Sequence, residues 1–196
     1  MRYPADHKQK TRQRILDAAA VVFRREGLQA GSVDKVMGEA GLTAGGFYTH
    51  FTSKEALFAE MLTEALRQGR VIFGKEDEGL TGSERIRAIV GKYLSPAHRR
   101  MIDRGCPMPP LLPELPRAGE PARRAFEEAL GAIVAALEPH LEEDGGATRS
   151  DRALALVALL VGGMTLSRAV ADDALANRIL AACRDQIDAS LGAKSD

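Results

Sequence analysis

Residues 32–54 read SVDKVMGEAGLTAGGFYTHFTSK, and this stretch decides the fold prediction. Its first part has the apolar spacing of a short helix that stops at Gly41, and a compact second segment begins at Ala44. Two short helices joined by a glycine turn form a helix-turn-helix, whose second helix enters the major groove of DNA. The sequence therefore predicts helices over 33–40 and 44–50, with the second one facing nucleic acid.

The second segment predicts two contrasting faces. On a wheel of about 100° per residue, one arc carries Ala44, Phe47, Tyr48 and Phe51, and the opposite arc carries Gly45, Gly46, Thr49 and His50. We expect the aromatic arc to pack inward and the small residues to face outward. Because each glycine costs a helix about 1 kcal/mol relative to alanine, the pair indicates close approach of the backbone to another surface.

Polar groups suited to phosphate surround the small-residue face. Thr43 can cap the second helix, whose N-terminal amides attract an anion. At the edges, where phosphate contacts fall, lie Tyr48, His50 and Lys54. A basic arm precedes this region, and it can follow the DNA backbone or enter the minor groove with Arg2, Lys8, Lys10, Arg12 and Arg14. For each basic residue taken alone, the alternative is a solvated helix face.

Charge is distributed unevenly along a chain whose net charge is zero. Residues 1–54 hold 9 Lys and Arg against 5 Asp and Glu, whereas residues 55–196 hold 18 against 22. A basic N-terminal part on an acidic body fits an anionic partner at one end only.

Length and composition restrict the class of protein. The chain has 196 residues, of which 45% are hydrophobic and 28% charged, so we expect a soluble protein with a substantial core. The longest apolar run, 153–164, is too short to span a bilayer, and we see no secretion signal. Two cysteines give neither a disulfide framework nor a metal knuckle. These features predict a cytoplasmic protein with no membrane partner.

Helical periodicity runs through almost the whole chain, and no alternating β-branched run suggests a sheet. We predict an all-α fold with further helices over 8–26, 53–73, 83–94, 120–142, 150–171 and 173–191. Gly27 should stop the first helix, and the proline-rich 107–121 should form a loop with broken turns. Thr52 or Ser53 can cap the 53–73 helix, and Thr52 has capping-box spacing to Glu55. The predicted domains are 1–52, which binds DNA, and 53–196, which binds a ligand and dimerises.

A set of motifs in the N-terminal part makes the prediction more specific. They are Gly27-Leu28, Ser32-Val33, Ala40-Gly41-Leu42-Thr43, Gly45, Phe47-Tyr48, His50-Phe51 and Ser53-Lys54-Glu55-Ala56-Leu57. In these residues the chain resembles the TetR family of transcriptional regulators. The resemblance implies a homodimer on a double-stranded DNA operator, three N-terminal helices for DNA, and a larger helical C-terminal domain that binds an inducer. It also implies that Ser32 contacts phosphate at the start of the second helix.

Two positions depart from the family pattern. Ala44 stands where lysine is frequent and Gly46 where serine or threonine is frequent, so both changes remove side-chain donors. Base contacts are then expected from Thr49 or its neighbours. The predicted DNA-binding set is Ser32, Thr43, Ala44, Gly45, Gly46, Tyr48, Thr49, His50 and Lys54.

The last two helices predict a dimer interface. The run 153–164 is apolar nearly all round and must be covered on more than one side, and the last helix carries a narrower apolar seam. Pairing with the same helices of a second copy would form a four-helix interface at Leu160, Ile179, Leu180, Cys183, Ile187 and Leu191. The alternative is that both helices only fill the core of one chain.

A small-molecule pocket is predicted between the 53–73 helix and the helices of the body. Methionine adapts to irregular apolar shapes, and the candidate lining residues are Met101, Cys106, Met108, Phe126, Val134 and Met164. The alternative for each of them is ordinary core packing.

Together these features predict a ligand-responsive regulator, a repressor that a small-molecule inducer releases from a palindromic operator. The alternative is a redox or electrophile sensor that acts through Cys106, near Arg99, Arg100 and Arg104, on the same DNA-binding domain. An enzyme is disfavoured because the four histidines are scattered and none has a partner at a metal-ligand or triad spacing. We expect neither a metal nor a cofactor.

Overall fold

The chain is helical wherever its periodicity predicts a helix. The computed structural model describes residues 5–74 and 79–192, so Arg2 of the basic arm lies outside the described residues. Within them the α-helices are α1 (Ala5–Ala30), α2 (Val33–Glu39), α3 (Lys54–Gly74), α4 (Gly82–Tyr93), α5 (Pro96–Arg100), α6 (Met108–Leu111), α7 (Glu120–Leu137), α8 (Arg149–Ala169) and α9 (Asp173–Ser190). Shorter 3₁₀ helices span Ala44–Thr49, Leu112–Arg117 and Glu138–His140. The predicted all-α fold is confirmed.

These helices form two compact units. One contains the residues up to Gln68 together with Cys106–Ala129, and the other contains Gly69–Gly105 together with the residues from Leu130 onward. The units are defined by compactness alone. The functional division into 1–52 and 53–196 therefore stays a prediction.

In the first unit, α1 bends at Gly27. This residue has φ 78° and ψ 172° inside an otherwise helical span, a backbone conformation that glycine adopts without steric cost. The helix stop predicted there is thus present as a kink, and one further turn continues to Ala30. Beneath it, the rings of Phe23 and Phe58 meet edge to face, with centroids 5.6 Å apart. This contact joins α1 to α3 in the core.

Of the two predicted caps of α3, Thr52 and Ser53, the structure uses Ser53. The cap is Ser53, whose Oγ accepts a hydrogen bond from the backbone N–H of Ala56 at 3.0 Å. A serine at this position satisfies one of the amide groups that the first helical turn leaves without a partner. The helix therefore begins one residue later than the Thr52–Glu55 spacing predicts.

The proline-rich segment is more ordered than predicted. Instead of a loop it forms α6 and the Leu112–Arg117 helix, with prolines near the start of each, where the missing N–H costs nothing. The segment belongs to the first unit, and α6 packs against α1. The Glu114 carboxylate lies 3.0 Å from the point that a Cβ on Gly27 would occupy. The prolines thus start short helices that pack beside the α1 kink.

In the second unit, α8 packs along α9 and also contacts α4. Thr148 and Asp151 form a capping box at the start of α8, and Asp172 caps α9 through the N–H of Leu175. By length and composition α8 could cross a membrane, but 44% of its most apolar window is buried inside the protein. A core helix of a soluble protein has the same properties.

Two arginines lock α5 to the end of α8. Arg99 Nε donates to the Ser167 carbonyl at 2.7 Å, and its Nη1 pairs with Asp173 at 2.6 Å. In return, Arg168 donates to the carbonyls of His98 and Arg99. The C-terminal carbonyls of both helices thereby gain charged donors, which compensate for the hydrogen bonds they lack within the helix.

Candidate nucleic-acid interface

The first helix of the helix-turn-helix begins at the predicted residue. Ser32 precedes α2 with extended backbone angles, and its Oγ accepts from the Lys35 N–H at 3.3 Å. At the other end, Gly41 turns the chain with φ 66°. Arg14 Nη2 donates to the Ala40 carbonyl at 2.7 Å. Arg14, which the sequence placed in a DNA-contacting arm, therefore closes the C-terminal end of α2.

The second helix is a 3₁₀ helix, Ala44–Thr49, and not the predicted α-helix. Because a 3₁₀ helix has about three residues per turn, the 100° wheel misplaces its side chains. Phe47 is fully buried, but Tyr48 is 75% exposed and Ala44 is also exposed. The prediction that Ala44 and Tyr48 pack inward is wrong.

Aromatic rings hold this short helix in place. Phe47 stacks on Phe51, with centroids 5.9 Å apart and planes at 28°. The Tyr48 ring meets Phe47 edge to face at 5.2 Å. Only one ring of the helix is anchored in the core, so Tyr48 presents its hydroxyl to solvent beside the exposed residues Thr43, Ala44, Gly45 and Thr49. We call those four residues the bare face.

The two glycines are not required by the fold of the free chain. Neither has a positive φ. A Cβ added to Gly45 would meet no atom within 4 Å, and one added to Gly46 would meet only the Met37 methyl at 3.7 Å, an ordinary contact. Since neither backbone conformation nor internal packing explains glycine here, the remaining physical reason is the approach of another molecule.

His50 ends the helix, and its N–H donates to the Phe47 carbonyl at 2.9 Å. Partial burial lowers the pKa of its imidazole below the usual value, and the positive charges of Lys8 and Arg12 lower it further. Its Nδ1 is buried and has no hydrogen-bond partner among the described residues. The lowered pKa favours the neutral imidazole, which donates one hydrogen bond without adding a charge.

Lys54 is tied to α1. Its Nζ donates to the Leu28 carbonyl at 2.8 Å and lies 3.4 Å from the Gln29 carbonyl. Replacing Lys54 would remove these bonds together with the charge, and a loss of DNA affinity would not by itself assign a phosphate contact. Lys8 and Lys10, which also belong to the predicted arm, are exposed.

The predicted pocket residues fall into both units. Cys106 and Phe126 are half-buried and Met108 is buried in the first unit, while in the second Val134 and Met164 are buried and Met101 is 48% exposed. The first unit has an open groove of about 570 Å³ lined by Gln9, Arg12, Gln13, Leu16, Ala56, Ala59, Glu60, Thr63, Glu64, Pro121 and Ala125. None of the six predicted residues lines this groove. Their role in ligand binding stays a prediction, as does the redox role of Cys106.

The residues of the predicted dimer seam differ in their burial within one chain. Leu160, Leu180 and Ile187 are buried within their own chain, and Ile179, Cys183 and Leu191 are half-buried. α9 packs along α8 of the same chain, and the part that these six residues play in a dimer stays a prediction. The large apolar side chains that these two helices leave at the surface are different ones: Leu154 (44% exposed), Leu166 (59%) and Leu175 (42%).

Side chains suited to metal binding do not converge in the described parts of the chain. Over residues 5–74 and 79–192, no group of three or more His, Cys, Asp or Glu is placed to hold a metal ion. The chemistry available at the Ala44–Thr49 helix is hydrogen bonding and close backbone contact.

Comparisons with known proteins agree with this geometry. Residues 15–61 match the family model "Bacterial regulatory proteins, tetR family", and residues 82–183 match "Tetracyclin repressor-like, C-terminal domain". The regulator YfiR of Bacillus subtilis is 36% identical over 64 residues, covering 33% of this chain and 31% of YfiR. The repressor KstR2 of Rhodococcus jostii is 36% identical over 94 residues, covering 44% of this chain and 45% of KstR2.

Solved structures extend the likeness in fold to nearly the whole chain. A TetR transcriptional regulator from Chloroflexus aurantiacus superposes with a TM-score of 0.77 at 20% identity, covering 93% of this chain and 96% of that one. YfiR and KstR2, in contrast, are matched over less than half of their own length. The two family models together match both the N-terminal part and the body of the chain.

Proposed function

The chain belongs to the TetR family of bacterial transcriptional regulators, which bind DNA and are not enzymes. From this premise we propose that it is a ligand-responsive repressor. Two copies would bind a palindromic operator, and a small-molecule inducer would release them. The observation that carries the DNA-binding part is the bare face, where Gly45 lies open without an internal reason for glycine. Such a surface allows the backbone to come within contact distance of a DNA groove.

The proposed DNA contacts fall into two groups, phosphate contacts and base contacts. We propose that five side chains face phosphates, since hydroxyl, imidazole and ammonium donors fix a protein on the duplex. They are Ser32, Thr43, Tyr48, His50 and Lys54. Base contacts come from Thr49 and from backbone groups at Ala44, Gly45 and Gly46. Because most of these donors are neutral, we expect phosphate neutralisation to fall largely to Lys8, Lys10 and Lys54.

Release by a ligand requires two states of the protein with different affinities. An inducer must bind the DNA-incompetent state more tightly, since a ligand with equal affinity for both states changes nothing. We place its site in the C-terminal helical body and the protein in the cytoplasm, where operator DNA is found.

The test of DNA binding is a titration against duplexes taken from the DNA that flanks the gene of this protein. We expect one duplex to bind at least about a thousandfold more tightly than a random-sequence duplex at physiological salt. The logarithm of the affinity should fall linearly with the logarithm of the salt concentration. If a dimeric preparation binds all duplexes alike, the proposed function is wrong.

We also propose that the protein dimerises through the outward faces of α8 and α9, at Leu154, Leu166 and Leu175. Replacing Leu166 with glutamate should raise the dimer dissociation constant about tenfold or more, because a charge would be buried without a partner. Sedimentation over a concentration series measures the change. The matched control is Ile102→Glu, since Ile102 is also 48% exposed but lies off these helices. Equal effects of the two substitutions would contradict this interface.

A further inference from the structure

Arg12 makes two contacts that the sequence did not indicate. Its guanidinium forms a two-pronged pair with Glu60 of α3, in which Nη1 bonds Oε1 and Nη2 bonds Oε2 at 2.5 Å. The same guanidinium lies over the ring of Phe51, 4.5 Å from its centroid. Arg12 therefore connects α1, α3 and the segment that follows the Ala44–Thr49 helix.

Phe51 passes this contact on to the helix that carries the bare face. It stacks on Phe47, whose carbonyl accepts from the Phe51 N–H at 3.1 Å, and Phe47 is in turn the buried anchor of the Ala44–Thr49 helix. A 3₁₀ helix of six residues has little stability of its own. Its orientation is set by the rings that hold it, and Arg12 covers the outer one of the two stacked rings.

The charge of Arg12 is already compensated. A planar guanidinium that matches a carboxylate in both hydrogen bonds has few donors left for a phosphate. Its side chain is 36% exposed and that of Glu60 is 38% exposed, so the pair is partly shielded from water. To bind DNA backbone directly, Arg12 would have to leave Glu60 and uncover Phe51.

We propose that Arg12 is a positioning residue for DNA recognition, which holds the Ala44–Thr49 helix through Phe51 while Glu60 holds its guanidinium, and that it is not a phosphate contact. This inference rests on the proposed function of operator binding. Glu60 is an acidic residue, yet under this proposal it supports DNA binding, because it holds the guanidinium of Arg12 in place.

The two roles of Arg12 predict opposite results for one substitution, Glu60→Gln. If Arg12 positions the helix, loss of the carboxylate frees the guanidinium from its orientation and operator affinity falls, by about tenfold. If Arg12 binds phosphate, the same change releases a cation from its internal partner and removes a negative charge. Operator affinity then rises. The plot of the logarithm of affinity against the logarithm of salt concentration becomes steeper, because about one more counterion is released on binding.

The experiment measures operator affinity over a salt series for wild type, Arg12→Ala, Arg12→Lys, Glu60→Gln and the Arg12→Ala/Glu60→Gln double variant. We expect about tenfold weaker binding in each single variant, no further loss in the double variant, and a salt slope within about half an ion of wild type. Lysine should not rescue binding, because an ammonium cannot make the two-pronged pair. Tighter binding by Glu60→Gln, or full activity of Arg12→Lys with a reduced slope in Arg12→Ala, would overturn the proposal.

A measurement without DNA separates this proposal from the proposed function. In protein labelled with fluorotyrosine, the ¹⁹F resonance of Tyr48 should shift in Arg12→Ala and Glu60→Gln, because the ring rests on Phe47. The Tyr93 resonance, from the second unit, should not shift. We expect melting temperatures within about 4 °C of wild type, as for an exposed ion pair. An unmoved Tyr48 resonance would refute positioning, whereas a failure of wild type to prefer any duplex would refute only operator binding.

Discussion

Replacing Gly45 by leucine is expected to weaken operator binding at least about a hundredfold, or about 2.8 kcal/mol, and to leave the fold intact. In the free chain the new side chain would point into open space, since a Cβ at Gly45 meets no atom within 4 Å. On DNA it would occupy the volume that the bare face leaves for the groove. A clash of this kind reduces the affinity for the bound state without changing the free protein.

Gly45→Ala is a smaller substitution that separates the effect on the stability of the free protein from the effect on operator affinity. Since alanine is the better helix former, the free energy of unfolding should rise by about 0.5–1 kcal/mol, while operator affinity falls about tenfold. The matched control is Gly131→Ala in α7, where an added Cβ also meets no atom. That variant should show the same kind of stabilisation with unchanged operator affinity.

Urea unfolding and operator titration on the same preparations measure both quantities. If Gly45→Leu binds the operator as tightly as wild type, the backbone at this position does not approach DNA. The assignment of the bare face would then be wrong, although other parts of the helix-turn-helix could still bind DNA. If instead both Gly45 variants unfold more easily than wild type, the glycine has a structural role that the free chain does not reveal.

The parts of the fold that sequence predicts are those with local signals. Ser32 caps α2 because a hydroxyl at that position reaches the amides of the first turn. Gly27 and Gly41 take positive φ and mark the kink in α1 and the turn after α2. Each signal depends on one residue type and a few neighbours, so no knowledge of distant contacts is needed to interpret it.

Interactions between distant residues are not predictable in the same way. Arg12, Arg14 and Lys54 all have the composition of DNA-facing cations, yet each bonds a group 26 to 48 positions away in the sequence. A basic side chain has several possible acceptors, and only the packing of α1 against its neighbours decides among them. The charge excess of the N-terminal part is therefore partly used inside the protein.

Two further differences between the sequence-based expectations and the structure also arise from tertiary packing. The apolar stripe with Leu180 and Ile187 shows that α9 must be covered, but it cannot show whether the cover is α8 of the same chain or a second copy. The Ala44–Thr49 segment has helical spacing, but a segment so short and rich in glycine adopts the helix type that the anchor Phe47 permits. In both cases tertiary packing selects among states that the local sequence leaves close in energy.

Replacing Gly163 by alanine is expected to lower the free energy of unfolding by about 2 kcal/mol, as overpacking of a core does. The added Cβ would lie 2.7 Å from the Cys183 Sγ and 3.3 Å from both the Cys183 Cβ and a Leu94 methyl. This is where α8 and α9 cross closely within one chain, and neither helix can yield without disturbing Met164 and Leu180, both fully buried. The matched control is Gly162→Ala, the preceding residue of the same helix, whose Cβ would meet no atom.

Cys183→Ala provides the compensating change, because it removes the sulfur that lies nearest to the new methyl group. The double variant Gly163→Ala/Cys183→Ala should be more stable than Gly163→Ala alone, with a favourable coupling of about 1 kcal/mol. Urea unfolding at a fixed protomer concentration measures all four proteins, because the stability of an oligomer depends on concentration. If Gly162→Ala destabilises as much as Gly163→Ala, or if Cys183→Ala gives no rescue, the intramolecular crossing of α8 and α9 at these residues is wrong. The buried stripe of α9 would then again be available to a second copy.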